Sequence, residues 1–414
     1  MPDLPQPALT PQTLMDRATA CLSAPLVSER LPPRLMSIWE ITTWVLPMAP
    51  EHLRRVLAAD PGLPQGSAGS EGGTRWFTLP EVATLRTHFI ARSRTARYAP
   101  TPTKRAPLIT LAGTDGDMGR TTAVTHMATA ASLAGYRVLV IEGDPAGTLA
   151  PTLGCQGPAP SGDVLSLLAR SAAQHLRQLN QSRLDRGEVP TPMDATLTAG
   201  LNLTTADLIR PTKWPGLDLL PATNALTQAD LALTSWRLTQ RSWHPWRALA
   251  EALNTDGVRS RYDLILCDTP RGLGPLALSL LTSADILLAP LPLRGDGLTN
   301  LGAGLHSLAA ATQTLEGELQ TTARALGQTA APFGWQRLAV LPTRAGPDAA
   351  RHLASATAQL GDALLPAALP EVHTPQFYDL DYRTIGRLPY APLRDACDAA
   401  WVGLSEVLRT AQTA

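Results

Sequence analysis

The stretch LITLAGTDGDMGRTTA at residues 108–123 decides the fold of this chain. It predicts a buried apolar strand over residues 108–112, then a turn that contains glycine, then a helix over residues 121–133. A turn that opens a helix directs backbone N–H groups and the positive end of the helix dipole at an anion. The stretch therefore predicts a phosphate-binding loop between a strand and a helix.

Acidic residues follow two further predicted strands. Glu142 and Asp144 come after the strand at residues 137–141, and Asp268 comes after the strand at residues 264–267. Ligands in open α/β sheets bind beyond the carboxyl ends of the strands. We therefore expect these acids at the ligand-binding edge of the sheet.

From residue 106 onward, short apolar runs alternate with helical stretches. Further strands are predicted over residues 217–220, 286–290 and 338–341. Runs that are apolar throughout are typical of strands buried in a parallel sheet. The pattern predicts an α/β fold with a doubly wound, mostly parallel sheet.

A different pattern precedes this region. Helices are predicted over residues 35–46 and 50–59, a loop or hairpin over 61–74 and a short strand over 76–78. Thr78 is then the predicted N-cap of a third helix, with Glu81 at the capping-box position. The order of helix, turn, helix, loop, strand and helix predicts a small winged helix-turn-helix domain.

The charge distribution favours DNA as the ligand of this domain. The 414 residues include 35 basic and 35 acidic ones, but residues 1–105 hold 12 basic and 8 acidic residues, a net +4, which leaves −4 for the rest. A basic segment beside a helix-turn-helix is the electrostatic signature of phosphate contacts. The alternative is a helical packing domain whose arginines only solvate its surface. The expected DNA contacts are Arg54, Arg55, Arg75 and Arg86.

These patterns predict four parts of the chain. They are a flexible or helical extension (1–33), the winged helix-turn-helix domain (34–97), a basic linker (98–105) and the α/β domain (106–414). The four cysteines are widely spaced and form no CxxC pair, which argues against a zinc site or a disulfide framework. The absence of a signal sequence or a bilayer-length apolar run predicts a cytoplasmic location without membrane contact.

The order and spacing of these motifs resemble the ParA/MinD family of deviant Walker ATPases, a group of P-loop proteins. The likeness is greatest to the plasmid-partition ParA branch, which has an N-terminal DNA-binding domain. The segments that carry the resemblance are residues 115–122, which match the family's phosphate loop, 142–147, which match its DxDPQG motif, and 268–271, which match its DxPP motif.

The resemblance implies a set of site residues and ligands. Thr121 and Asp268 would hold Mg²⁺, and Asp144 would orient the attacking water in a catalytic set with Glu142 and Arg120. The resemblance also implies a homodimer that binds specific and nonspecific DNA on a nucleoid or plasmid and is stimulated by a ParB-like partner. ATP would lie on Gly116, Met118, Gly119, Arg120, Thr121 and Thr122.

The loop departs from the family pattern at charged positions. Arg120 replaces the P-loop lysine, Asp115 replaces the signature lysine, and Asp117 replaces a glycine. The loop charges therefore sum to −1, and a like-charge contact at ~4 Å costs about 4 kcal/mol at an effective dielectric constant of about 20. These charges predict weak ATP and Mg²⁺ binding unless the aspartates point away.

Two alternatives to a partition ATPase remain open from the sequence. One is a catalytically degenerate, ParA-like DNA-binding regulator that binds nucleotide weakly or not at all. The other is a CobQ/CobB-like P-loop ligase, against which the predicted helix-turn-helix argues. The identity of the DNA site, cargo and partner does not follow from the residues.

Overall fold

The computed structural model describes residues 35–68, 75–93, 100, 105–155, 157, 160–325, 327–371 and 399–409. The predicted extension at residues 1–33 and most of the predicted linker at residues 98–105 lie outside this part of the chain.

Residues 35–93, called here the N-terminal module, contain a three-stranded antiparallel sheet and three helices. Strand β3 pairs with both β1 and β2, so that β2 and β3 form a wing beside the helices. The order of these strands and helices is compatible with the winged helix-turn-helix domain, which stays a prediction. The elements are β1 (Leu35–Ser37), α1 (Ile38–Glu40, continued by a π-helix over Ile41–Val45), α2 (Pro50–Ala59), β2 (Ser67–Ala68), β3 (Arg75–Thr78) and α3 (Leu79–Arg92).

The start of the first predicted helix is wrong, whereas the second helix, Pro50–Ala59, and the N-cap of the third are as predicted. Residues 35–37 form β1 because Met36 pairs with Phe77 of β3, and both side chains are fully buried. A short apolar run satisfies helical and strand spacing alike, and tertiary pairing decides between them. Thr78 caps α3 as predicted: its hydroxyl accepts the Glu81 N–H at 3.3 Å, and Glu81 accepts the Thr78 N–H at 2.7 Å.

Among the described residues, seven further strands form the main sheet. They are β4 (Leu108–Leu111), β5 (Val138–Glu142), β6 (Arg210–Pro211), β7 (Leu217–Leu220), β8 (Leu264–Asp268), β9 (Ile286–Pro292) and β10 (Arg337–Thr343). Their order is β10-β9-β4-β8-β5-β7-β6, and only β6 is antiparallel to its neighbour. The doubly wound, mostly parallel sheet is therefore confirmed.

Helices cover this sheet, as a parallel sheet requires on both faces. Residues 399–409 are also helical. The helices in chain order are α4 (Arg120–Leu133), α5 (Leu149–Leu153), α6 (Val164–Asp185), α7 (Ala195–Gly200), α8 (Thr205–Leu208), α9 (Ala229–Thr239), α10 (Ala248–Thr255), α11 (Val258–Arg261), α12 (Pro275–Thr282), α13 (Gly297–Ala325) and α14 (Ala349–Leu360).

Successive residues of the central strands face opposite sides of the sheet. Leu108 of β4 packs in a cluster with α6 and α10, whereas Ile109 packs in a cluster with α4. The second cluster also includes Met36 and Phe77, so the N-terminal module and the sheet share a continuous apolar core. The described chain from Leu35 onward accordingly forms one compact unit.

Candidate functional site

The loop between β4 and α4, residues 112–119, lies at the carboxyl end of a strand inside the sheet. Gly119 is the N-cap of α4 and has a φ of +83°, a left-handed conformation that glycine adopts without strain. No side chain among the described residues caps this helix. The first N–H groups of α4 have no intrahelical acceptors, so they can bind an anion.

Two neighbouring elements fix the loop. The Gly272 N–H, in the turn after β8, donates to the Thr114 carbonyl at 3.0 Å. The Thr343 hydroxyl, at the end of β10, donates to the Met118 carbonyl at 2.9 Å. Because the Met118 side chain is buried beside Gly113, Met118 can offer a ligand only its backbone N–H. The loop is therefore held in shape without a ligand.

Thr121 and Asp268 meet as the sequence predicts for a cation site. The Thr121 hydroxyl donates to Asp268 Oδ2 at 2.7 Å. Asp268 is 1% exposed, and its Oδ1 is buried with no hydrogen-bond partner among the described residues. Burial raises the pKa of Asp268 to about 7. A hydroxyl beside a buried carboxylate with an unused oxygen fits a hard, oxygen-ligated cation such as Mg²⁺.

Asp144 follows β5 and keeps one carboxylate oxygen free. Its Oδ1 accepts the Ala146 N–H at 2.9 Å, while its Oδ2 has no hydrogen bond among the described residues. The side chain is half-buried and close enough to raise the pKa of Asp268. Asp144 can therefore accept a hydrogen bond from a water molecule at the site.

Glu142 does not have the catalytic position that the sequence analysis expected. The side chain is fully buried, and its two oxygens accept the backbone N–H groups of Leu149 at 2.6 Å and Ala222 at 3.1 Å. Burial raises its pKa. Because both oxygens hold neighbouring loops, Glu142 has a structural role at the end of β5.

The Arg120 side chain turns into the loop. Its guanidinium donates to the Gly113 carbonyl, and the residue is 7% exposed. Burial lowers its pKa, although the charges of Asp268 and Asp144 act in the opposite direction. The arginine therefore brings a positive charge close to the acids, but one of its guanidinium nitrogens already has a backbone partner.

Asp117 belongs to a cluster of four charges. Its carboxylate forms ion pairs with Arg294 and Arg344, and Glu371 accepts from both arginines at 3.0 and 3.3 Å. Asp117 has a φ of +61°, which aspartate tolerates better than most residues. The two acids and two arginines sum to zero, so Asp117 does not repel an anion as the loop sequence suggests.

Arg271 is a site residue that sequence reasoning missed. The sequence did hold a signal for it: Arg271 occupies the position of the second proline in the family's DxPP motif. A Cβ atom on Gly116 would lie 3.1 Å from an Arg271 guanidinium nitrogen, so the side chain lies against the loop backbone. With Asp117 compensated, the charges at the loop are Arg120 and Arg271 against Asp115, a sum of +1.

A cavity of about 290 Å³ adjoins the loop on the β9 side. Gly116 and Asp117 line it from the loop, Arg294 lines it from the segment that connects β9 to α13, and Asn300 lines it from α13 itself. Thr122, at the start of α4, is half-buried and makes no side-chain hydrogen bond among the described residues. The loop therefore borders a space that a small polar ligand can enter.

The N-terminal module presents three of the four predicted DNA contacts to solvent. Arg54 and Arg55 lie on the exposed side of α2, opposite the buried Leu53 and Leu57. Arg54 pairs with Glu51 at 3.0 Å across exposed surface, where an ion pair contributes little. Arg75, on the wing, is exposed and donates to Gln65 at 3.1 Å.

Arg86 is not a DNA contact, contrary to the sequence-based expectation. The residue is 9% exposed, and its guanidinium donates to the carbonyls of Val45 at 2.6 Å, Ala134 at 2.7 Å and Leu133. Burial lowers its pKa to about 10. Arg86 therefore joins the N-terminal module to the end of α4.

Replacing Arg86 with alanine is expected to destabilise the protein by about 3 kcal/mol, because it leaves buried carbonyls without donors. Urea unfolding measures this change. The matched control is Arg92→Ala in the same helix. Arg92 is exposed, and its ion pair with Asp60 is long, at 3.9 Å. The control should change the free energy of unfolding by less than about 0.5 kcal/mol. Equal effects of the two variants would contradict the structural role of Arg86.

No helix among the described residues is long and apolar enough to cross a membrane.

The α/β domain is similar to known proteins. A family model described as an AAA domain matches residues 106–321. A putative replication protein A of Sinorhizobium fredii is 27% identical over 234 residues, which cover 55% of this chain and 49% of that protein. The chromosome partitioning protein ParA of Caulobacter vibrioides is 28% identical over 197 residues, or 47% of this chain and 60% of that protein.

A solved structure named Partition Protein has the same fold. It covers 97% of this chain, and this chain covers 98% of it, with a TM-score of 0.57 and 18% sequence identity. The alignments with the two sequence relatives extend over only 49% and 60% of their own lengths.

Proposed function

We propose that this chain, a member of the AAA-domain family, is a DNA-segregation protein that binds ATP and Mg²⁺. Among its relatives is a chromosome partitioning protein ParA. The observation that carries this proposal is the Thr121–Asp268 pair beside the uncapped N-terminus of α4. Such a pair at the end of a phosphate loop suits a nucleotide with its cation.

Each residue of the site has a role in this proposal. The phosphates would lie on the backbone N–H groups from Gly116 to Thr122, with Met118 contributing only its N–H. Thr121 and Asp268 would hold Mg²⁺, which neutralises phosphate charge when it is bound. Asp144 would accept a hydrogen bond from the attacking water through its free oxygen.

The wider function requires the N-terminal module and further molecules. The exposed arginines of α2 and the wing would bind a specific DNA site, as the basic surface of a winged helix does. ATP would promote a homodimer that binds DNA nonspecifically on a nucleoid or plasmid, and a ParB-like partner would stimulate hydrolysis.

The double substitution Arg54→Ala and Arg55→Ala is expected to weaken DNA binding about tenfold at moderate salt. Two phosphate contacts would be lost, so the negative slope of log K against log salt should become shallower by almost two. Fluorescence anisotropy with a duplex over a salt series measures both quantities. Arg241→Ala, in the α/β domain, is the control for a lost arginine, because Arg241 is exposed. An unchanged slope in the double variant would contradict DNA binding through α2.

A second candidate is a DNA-binding regulator without a nucleotide cycle. The observation that favours it is the bond from the Arg120 guanidinium to the Gly113 carbonyl, because a phosphate would have to compete for that donor.

Light scattering of the full chain separates the two candidates. The partition ATPase should change from monomer to dimer when Mg²⁺ and ATP are added, and its ATP turnover should rise with DNA. A mass that is independent of ATP, together with retained DNA binding, would leave the regulator as the better assignment.

A further inference from the structure

Arg271 is placed over the phosphate loop by the backbone on either side of it. Arg271 lies in the turn after β8, shortly after the buried Asp268 and Thr269. The next residue, Gly272, donates its N–H to the Thr114 carbonyl at 3.0 Å. A turn that is hydrogen-bonded to the loop cannot move away without breaking that bond. The position of Arg271 is therefore coupled to the loop itself.

The guanidinium of Arg271 lies in contact with the loop backbone. A Cβ atom at Gly116 would be 3.1 Å from one guanidinium nitrogen, 3.2 Å from Cζ and 3.4 Å from Nε. Glycine at position 116 therefore leaves room for the arginine. The charge of Arg271 also acts on Arg120, whose pKa it helps to lower after the larger effect of burial.

Arg271 differs from the other arginines near the loop in having no partner in the described part of the chain. Arg294 and Arg344 are paired with Asp117 and Glu371, and Arg120 donates to the Gly113 carbonyl. Arg271 is exposed, and it forms neither an ion pair nor a hydrogen bond with any residue that the structure describes. Its donors are available to a ligand on the loop.

The loop itself is short of positive charge. Arg120 is the single basic residue of the segment 113–122, and Asp115 cancels its charge, since Asp117 is already paired with Arg294 and Arg344. A nucleoside triphosphate is a multiply charged anion, and a guanidinium can bind phosphate oxygens with two parallel hydrogen bonds. A cation supplied from another element would compensate for what the loop lacks.

We propose that Arg271 is a phosphate-binding residue that contacts a nucleotide on the loop at residues 113–122, supplying from the β8 turn a charge that the loop lacks. The inference rests on the proposed nucleotide binding and deepens it. It also assigns a function to Gly116, which admits the guanidinium.

The test is the affinity of the full chain for Mg²⁺–ATP, measured by isothermal titration calorimetry. Arg271→Gln should weaken binding about tenfold or more, because a charged hydrogen bond to phosphate is lost. Arg271→Lys should recover part of this loss, because it keeps the positive charge. Arg241→Gln is the control, because Arg241 is exposed and lines a separate cavity. Melting temperatures check that each variant is folded.

The possible outcomes distinguish the role of Arg271 from the proposed nucleotide binding on which it rests. If the wild-type chain binds ATP and Arg271→Gln binds it equally well, the role of Arg271 is overturned and nucleotide binding stands. If the wild-type chain binds no ATP, both are overturned. A loss that is the same in Arg271→Gln and Arg241→Gln would also overturn the role of Arg271, because the effect would then be one of general charge.

Discussion

Asp268→Asn is expected to weaken Mg²⁺-dependent nucleotide binding about a hundredfold and, at the same time, to stabilise the protein above pH 7. The buried carboxylate is the ligand that the proposed cation site requires. Without the cation it is a desolvated charge whose Oδ1 has no partner among the described residues. Asparagine keeps the shape and can accept from Thr121, but it carries no charge.

The pH dependence of this effect follows from the pKa of Asp268. Burial raises that pKa from 3.8 to about 7, so between these values the folded protein holds a proton that the unfolded chain releases. Stability from this group therefore decreases as pH rises through the window, by about 1.4 kcal/mol per unit and by about 4 kcal/mol in all.

The melting temperatures of Asp268→Asn and the wild type should accordingly differ more at pH 8 than at pH 5. Asp348→Asn is the matched control, because Asp348 is an exposed acid immediately before α14, away from the loop. It should change neither the melting temperature nor the nucleotide affinity. A stability gain of Asp268→Asn that is equal at both pH values would contradict the raised pKa.

Asp144→Ala is expected to lower DNA-stimulated ATP turnover by about 10²–10⁴-fold and to change ATP affinity less than about threefold. The reason is that Asp144 has one carboxylate oxygen free to orient water, whereas the binding contacts come from other residues. Turnover is measured by phosphate release with saturating ATP and DNA.

Asp144→Asn is the sharper variant of this test. Its side-chain oxygen can still accept the Ala146 N–H, so the turn after β5 is kept while the carboxylate is lost. Turnover should fall as far as in the alanine variant. Full activity of Asp144→Asn, with loss only in Asp144→Ala, would indicate that Asp144 acts by shaping the turn.

Much of the fold could be predicted from local patterns. The strand at Leu217–Leu220 and the helix at Pro50–Ala59 have the predicted boundaries, because an apolar run between turn residues and a proline at a helix start are local signals. The helix predicted from residue 35 failed at β1, since pairing with Phe77 is a long-range contact.

The site could be predicted in part for the same reason. Thr121 and Asp268 meet because parallel strands bring their carboxyl ends to one edge. Charge alone could not show that Arg86 and Glu142 are buried, or that Asp117 turns to Arg294 and Arg344 from distant elements. Side-chain direction at these positions depends on the assembled fold.

The central claim is that the loop binds nucleotide despite Asp115, Asp117 and Arg120. The most direct test is a titration of the full chain with ATP in Mg²⁺ and in excess EDTA, followed by calorimetry. We expect saturable binding with a Kd on the order of 10 μM in Mg²⁺, weakened at least about tenfold in EDTA. No binding at millimolar ATP, by a folded protein that still binds DNA, would contradict the claim.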